Sequence, residues 1–291
     1  MIRYLTAGES HGPALTGIVE GLPAGVPLSP ETINFHLHRR QQGYGRGNRM
    51  KIETDAAEIL SGVRFGKSIG SPIAFTIRNA DWKNWTEKMN QFDDLSGEVA
   101  SVQIPRPGHA DFSGKLKYDL DDIRPVIDRS SARETATRVA CGAIIRAFLK
   151  SLGIEIGSYI SAIGQAIEPG GHEIKQAERL CMLLDEGAET MMRESDRSQV
   201  RMLDAAMESK AIALIEQAKL KGDTLGGIFE VFITGLPIGL GSYAQFDRKL
   251  DAQLAAAIVS IQAVKGVEIG TAFRNAVSFG SEVHDAMHLE N

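Results

Sequence analysis

Apolar residues recur at three- and four-residue steps behind Arg129, where Ala136, Val139, Ala140, Ala143, Ala147 and Phe148 share one side of a predicted helix. Gly153 supplies its C-terminal stop, and a stripe of that kind belongs in a core. A second helix is signalled over 29–42, with Ser29 as N-cap, Pro30 at the first helical position and Glu31 in the first turn. A polar, acidic pattern predicts a helix over 172–194. Another covers 198–221 with Val200, Leu203, Met207, Leu214 and Ala218 along one side, and a last covers 247–264. β-Branched and aromatic runs predict strands over 16–19, 73–77, 154–163 and 228–234, the last ending in a Gly-Leu-Pro turn. Helical and strand patterns interleave, so the expected class is α+β. No linker or fixed-period repeat divides the chain, and one continuous domain over 1–291 is the simplest expectation.

Composition narrows this only a little. With 291 residues, 43% hydrophobic and 24% charged, the chain matches packed globular proteins rather than disordered or fibrous ones. A formal net charge of -5 argues against binding nucleic acid or an anionic membrane by bulk electrostatics, so any anion site is local. Cys141 and Cys181 lie in apolar, helix-like stretches without the spacing of a metal site or a disulfide framework, which suits buried thiols in a reducing compartment. The opening MIRYLTAGESHG has no basic and apolar leader, and no stretch is long and apolar enough to span a bilayer. The expected location is the cytoplasm.

Candidate chemistry gathers in four glycine-punctuated segments. GESHG places Ser10 and His11 between Gly8 and Gly12, a hydroxyl and an imidazole on a backbone able to turn tightly. An exposed turn histidine is the plain alternative. The segment 36–51 sets Arg39, Arg40, Arg46, Arg49 and Lys51 around Gly43, Gly45 and Gly47, guanidinium forks that match phosphate and carboxylate oxygens. A solvated charge run or an Arg/Gly segment touching RNA would share that composition, but the acidic whole and the lack of an aromatic stacking array favour a small anionic ligand. IPRPGHADF brings Arg106 and His109 onto a loop. In DRSSARET, the residues Arg129, Ser130, Ser131 and Arg133 stand at the mouth of the helix described first, where backbone N–H groups, hydroxyls and guanidinium groups could converge on an anion.

Three near-motifs fail. GVRFGKS has one residue too few between its glycines for a phosphate-binding P-loop, and GLGSYA reads as a loop because the next helical pattern starts only near Asp247. HDAMH, at 284–288, has two-histidine spacing without the glutamate of a zinc helix, so no metal is assigned.

Taken in order, GESHGPALTGIVEGLPAG, RRQQGYGRGNRM, PRPGHAD, RSSARETATRVACGA, GDTLGGIFEV, PIGLGSY and SIQAVKGVEIG resemble the motif series of the chorismate synthase family. The resemblance implies a β-α-β sandwich fold, usually a homotetramer, converting 5-enolpyruvylshikimate 3-phosphate to chorismate and phosphate by a 1,4-elimination with reduced FMN. It places Ser10, Arg49, Arg106, Ser131 and Arg133 at substrate-contacting positions and matches His11 and His109 to the catalytic histidines. Arg129, Ser130, Ser131, Gln262 and Ala263 correspond to flavin contacts, and Arg40 and Arg46 to positions associated with NADPH. His11 would then protonate the leaving phosphate and His109 would face the reduced flavin. The family's glycine-rich GGxxGG segment, KPIPT-like stretch and arginine-serine-aspartate motif have no counterpart before the chain reaches DAMHLEN. Ala286 and Thr271-Ala272 also depart from the pattern. The expectation is a chain lacking the family's C-terminal portion, with weak flavin binding and little turnover alone. A catalytically impaired paralogue and, distantly, an Arg/Gly-loop nucleic-acid binder are the alternatives.

Overall fold

The computed structural model describes residues 1–46, 52–95, 97–167 and 185–284, which fall into two compact units, Met1–Ile154 and Glu155–Asn291. The first contains β1 (Arg3–Ala7), β2 (Ala14–Glu20), α1 (Pro30–Gln41), β3 (Ala57–Ile59), β4 (Val63–Arg64), β5 (Lys67–Ser68) and β6 (Ile73–Arg78). It continues with α2 (Asp111–Tyr118), α3 (Arg124–Arg129) and α4 (Thr135–Ser151).

Strands β1, β2, β6 and β3 form an antiparallel sheet in the order β1-β2-β6-β3. The pairs Leu15↔Ile77, Gly17↔Phe75 and Val19↔Ile73 put all six residues on one face, as the two-residue period of a strand requires. Against this face α4 lays Ala136, Thr137, Ala140, Cys141, Ala143 and Ile144, and α1 adds Ile33 and Leu37. Burying each large side chain such as Phe75 or Ile73 contributes roughly 1.5–3 kcal/mol. Gly17 lets the helix approach: a Cβ there would lie 2.3 Å from the Phe75 ring and 2.9 Å from Thr137 Cγ2. As the sequence predicts, Ser29 caps α1, its Oγ accepting from the Thr32 amide at 3.2 Å. Helix α4 ends in a Schellman motif, with Ile154 N–H on the Leu149 carbonyl, Gly153 N–H on the Lys150 carbonyl, and Gly153 at φ 78°. The rejected GVRFGKS segment is the β4–β5 hairpin, turning through Phe65 and Gly66 with positive φ at both.

The second unit holds β7 (Glu155–Ile163), β8 (Ala166–Ile167), α5 (Ala188–Ser195), α6 (Ala205–Lys221), β9 (Gly227–Thr234) and α7 (Leu250–Val259), followed by two four-residue helical turns. Its antiparallel sheet runs β8-β7-β9, with a bulge between Ile160 and Ala162. Helix α5 packs on β7 and α6 on β8.

Here the sequence pattern overreached at helix ends. The helix expected over 198–221 begins only at Ala205, because Asp204 caps it from the amides of Ala206 and Met207 and Arg201 turns through φ 60°. The helix expected over 247–264 is confined to α7, and Ala263 sits at φ 69° beyond it. Of the helix expected over 172–194, residues up to 184 lie outside those described, and the remainder appears as α5. Among the described residues no helix is long and apolar enough to cross a membrane.

Candidate functional site

The turn from Gly8 to Gly12 between β1 and β2 carries Ser10 and His11. Gly8 adopts φ 99°, and a Cβ there would be 2.5 Å from the Ala14 carbonyl oxygen, so the tight turn needs glycine. The turn is fastened on both sides. Ser10 donates its backbone N–H to the Asp128 carbonyl at 3.1 Å, and its buried hydroxyl lies 3.1 Å from that of Ser131. Across the turn, the Asn79 amide donates to the carbonyls of Glu9 at 3.1 Å and Gly12 at 2.7 Å. His11 is left with its ring stacked on Trp85, centroids 3.8 Å apart at 27°, and with Nδ1 2.9 Å from Asp128 Oδ1. Trp85 is itself held by its indole N–H on Asp81 at 2.9 Å, and Lys88 and Arg124 lie against the same ring.

Beneath the turn lies a buried ion-pair bracket. Arg133 Nη1 donates to both oxygens of Asp55, at 2.6 and 2.8 Å, Nη2 to Glu53 at 3.4 Å, and Nε to Asn79 Oδ1 at 3.0 Å. Because a guanidinium only donates, Asn79 must present its oxygen to Arg133 and its NH2 to the turn. Arg40 reaches the same cluster through Asp55 at 3.4 Å, Thr135 Oγ1 at 2.9 Å and the Ala132 carbonyl at 3.1 Å. Burial pushes the Arg40 guanidinium down to about 10, against the pull of Asp55, so it stays charged at neutral pH.

The loop before α2 forms a third cluster. Arg106 grips Asp111 with Nε at 2.9 Å, Nη2 at 3.1 Å and its backbone N–H at 3.0 Å. These hydrogen bonds hold the buried Asp111 carboxyl below its ordinary range and raise the Arg106 guanidinium, to which the Asp128 charge also contributes. His109 is exposed on this loop, close enough to Asp111 for its charge to act there too. Helix α2 is seated on α3 at Gly114, where a Cβ would meet Val126 at 2.4 Å.

The residues singled out in the sequence therefore separate. Ser10, His11 and Ser131 come together, and Arg106 with His109 stands on the neighbouring loop. The two guanidinium groups of RSSARET do not converge: Arg133 turns inward to the bracket, whereas Arg129 is exposed and sends Nη2 to the Thr6 carbonyl and hydroxyl at 2.9 and 3.1 Å. Ser130 Oγ donates to the Val126 carbonyl at 2.7 Å, and Ser131 Oγ accepts from the Arg133 amide at 3.2 Å, the capping role open to one serine. Arg40 is built into the bracket, and Arg46 is exposed. Arg49 and Lys51 lie outside the described residues. In the second unit Gln262 is partly buried and Ala263 exposed.

Sequence reasoning missed Glu53, Asp55, Asn79, Trp85 and Asp128. The first three are isolated polar residues with no periodic signal. Asp128 stood at the head of DRSSARET, and an acidic residue beside a basic, hydroxyl-rich segment was the available clue. Around Ser10, Ser131 and the exposed Arg129 the donors are hydroxyls and a guanidinium, chemistry that fits the phosphate or anionic ring system of a flavin nucleotide.

Comparison with known proteins is consistent along the chain. The family model described as chorismate synthase matches residues 2–291. A chorismate synthase of Chloroherpeton thalassium is 67% identical over 292 residues, covering 100% of this chain and 73% of that protein. One from Chlorobaculum parvum is 66% identical, covering 99% of this chain and 69% of its own length. A crystal structure of chorismate synthase superposes with a TM-score of 0.79 at 42% identity, covering 99% of this chain and 75% of that one.

Proposed function

Since the chain belongs to the chorismate synthase family, we propose that it releases phosphate from 5-enolpyruvylshikimate 3-phosphate to give chorismate, with the turn at His11 as the centre of the chemistry. The observation that carries this reading is the placement of an imidazole, held by Asp128 and Trp85, beside the paired hydroxyls of Ser10 and Ser131.

The substrate carries two carboxylates and a phosphate, whose desolvation has to be offset by several cationic and hydroxyl donors. Ser10, Ser131 and Arg106 supply such donors near His11, and Arg49 adds a further guanidinium by resemblance. Arg133 acts one layer down, holding Asn79 and through it the turn. Phosphate leaves more easily when protonated, and His11 is the group to give it that proton. His109, on an exposed loop, is the second proton-holding residue.

Reduced FMN, when bound, supplies electron density transiently to the C–O bond that breaks. Arg129, Ser130 and Ser131 are the residues of the first unit proposed to hold it, Gln262 and Ala263 match flavin contacts by resemblance alone, and Arg40 and Arg46 are those associated with NADPH as reductant. The homotetramer usual in the family and a cytoplasmic location complete the reading.

The test is an anaerobic assay of the 291-residue chain with reduced FMN and substrate, which also decides the expectation of weak turnover. His11→Gln should lower phosphate release by about a hundredfold or more with the far-UV circular dichroism unchanged. Equal release by both proteins at a rate clearly above the uncatalysed background, or release that does not depend on reduced FMN, would overturn the reading.

A further inference from the structure

We propose that Asp128 is a positioning residue that fixes both the tautomer and the orientation of His11. Its bearing on turnover rests on the role given to His11 above, but the pairing itself stands on geometry alone. Asp128 is 3% exposed, at the C-terminal end of α3. Its Oδ1 lies 2.9 Å from His11 Nδ1, and its peptide carbonyl holds the Ser10 amide in the same turn. One residue therefore grips the segment by backbone and ring together.

An ionised carboxylate only accepts, so the hydrogen between the two groups belongs to Nδ1 in the neutral ring and in the cation alike. Proton exchange at His11 is thereby confined to Nε2. The stack on Trp85 removes the remaining freedom of the ring, since rotation about the Cβ–Cγ bond would break the 3.8 Å contact as well as the hydrogen bond. Trp85 in turn cannot slide, because Asp81 holds its indole N–H.

The second carboxylate oxygen points to the same conclusion. Asp128 Oδ2 is buried and has no hydrogen-bond partner among the described residues. A core chosen for stability alone would satisfy or remove such an atom, as the bracket at Arg133 does a few residues away. Here a carboxylate is kept with one oxygen unsatisfied while the other serves the imidazole. Arg106, whose guanidinium is raised in part by the Asp128 charge, faces this carboxylate from the loop before α2.

The primary experiment uses the unsubstituted chain labelled with 15N-histidine, with the His11 signals assigned by their loss in His11→Gln. For the neutral ring, long-range 1H–15N spectra should show the hydrogen on Nδ1 and none on Nε2. The opposite tautomer, or an even mixture, would overturn the proposal whatever the substituted proteins do.

The second experiment is Asp128→Asn, which keeps the volume but turns one oxygen into a donor. The Nδ1–H preference should be lost and kcat should fall by on the order of a hundredfold, with KM changed by no more than about threefold. Asp128→Glu, which keeps the charge, should recover part of kcat. An Asp128→Asn protein with the wild-type tautomer and kcat would overturn the assignment. If instead His11→Gln retains full turnover while the Nδ1–H tautomer is found, the catalytic reading of His11 fails and the positioning geometry survives.

Discussion

Two polar clusters of the first unit sit a few residues apart and are built on opposite principles. At Arg133 the carboxylates of Asp55 and Glu53, the Asn79 amide and a second guanidinium from Arg40 close around one buried cation, and every nitrogen of Arg133 has an acceptor. At His11 the ring meets a carboxylate oxygen of Asp128 and the face of Trp85, and the carboxylate's other oxygen has no hydrogen-bond partner among the described residues. The closed cluster holds shape. The open one holds a group that must exchange a proton, and the two are joined through Asn79, which receives from Arg133 and donates to the turn of His11. An arginine in an anion-binding motif can thus serve the anion indirectly, by fixing the loop that meets it.

The largest expected effect comes from opening the closed cluster. Arg133→Ala leaves Asp55 and Glu53 buried without their principal partner, which should cost about 3–5 kcal/mol of unfolding free energy. Urea unfolding followed by circular dichroism measures it. A loss below about 1 kcal/mol would mean that the cluster is not the frame described here, and that Arg133 is free to serve a ligand directly.

The scaffold of this comparison was legible in the sequence, and its contents were not. Ser29-Pro30 and the three- and four-residue stripe behind Arg129 marked α1 and α4 because caps and helical period are local signals. Strands β2, β6, β7 and β9 were legible for the same reason, as β-branched runs. Strand β1 was missed because Arg3–Ala7 is an exposed edge of mixed character, and α2 and α3 because they are short and depend on the packing of Gly114 on Val126. Arg133 meets Asp55 across 78 residues and His11 meets Asp128 across 117, distances no spacing rule spans. The motif DRSSARET placed Arg133 just ahead of α4, whereas Arg129 is the last residue of α3, and the direction each side chain takes is decided from elsewhere in the fold, by carboxylates for Arg133 and by Thr6 for Arg129.

A middle-sized effect should come from the seat of α4, the helix that follows Arg133. Gly17→Ala would drive a methyl to within 2.3 Å of the Phe75 ring and 2.9 Å of Thr137, forcing the helix or the strand to shift. Overpacking of that kind costs typically 1–3 kcal/mol. If the shift propagates along α4 to the bracket, the Asn79 link should slacken and the His11 ring signals should move in the same 15N-histidine spectra. Lost stability with unmoved His11 signals would separate the two clusters, and would show that the turn is held from Asp128 rather than from Arg133.

The smallest effect concerns Cys141, a third way of handling a buried titratable group on the same helix. Burial, reinforced by the Glu134 charge, pushes its thiol up to about 12 from an unfolded value near 9, so the folded protein keeps it neutral. For a group raised on folding, the contribution to stability is whole below the unfolded value and is lost as pH climbs towards the folded one. Between about pH 9 and 12 the unfolded chain sheds this proton while the native chain retains it, and stability falls by up to about 1.4 kcal/mol per pH unit. Other groups titrate in that range, but they are common to Cys141→Ala, so the difference in slope between the two proteins isolates the thiol. Unfolding free energies at pH 8.5, 9.5 and 10.5, in steps of roughly one unit chosen to bracket the unfolded value, should decline more steeply for the unsubstituted chain. Parallel declines would mean that the native thiol ionises as readily as the unfolded one, and that the interior beside α4 is wetter than its packing against Gly17 and Phe75 allows.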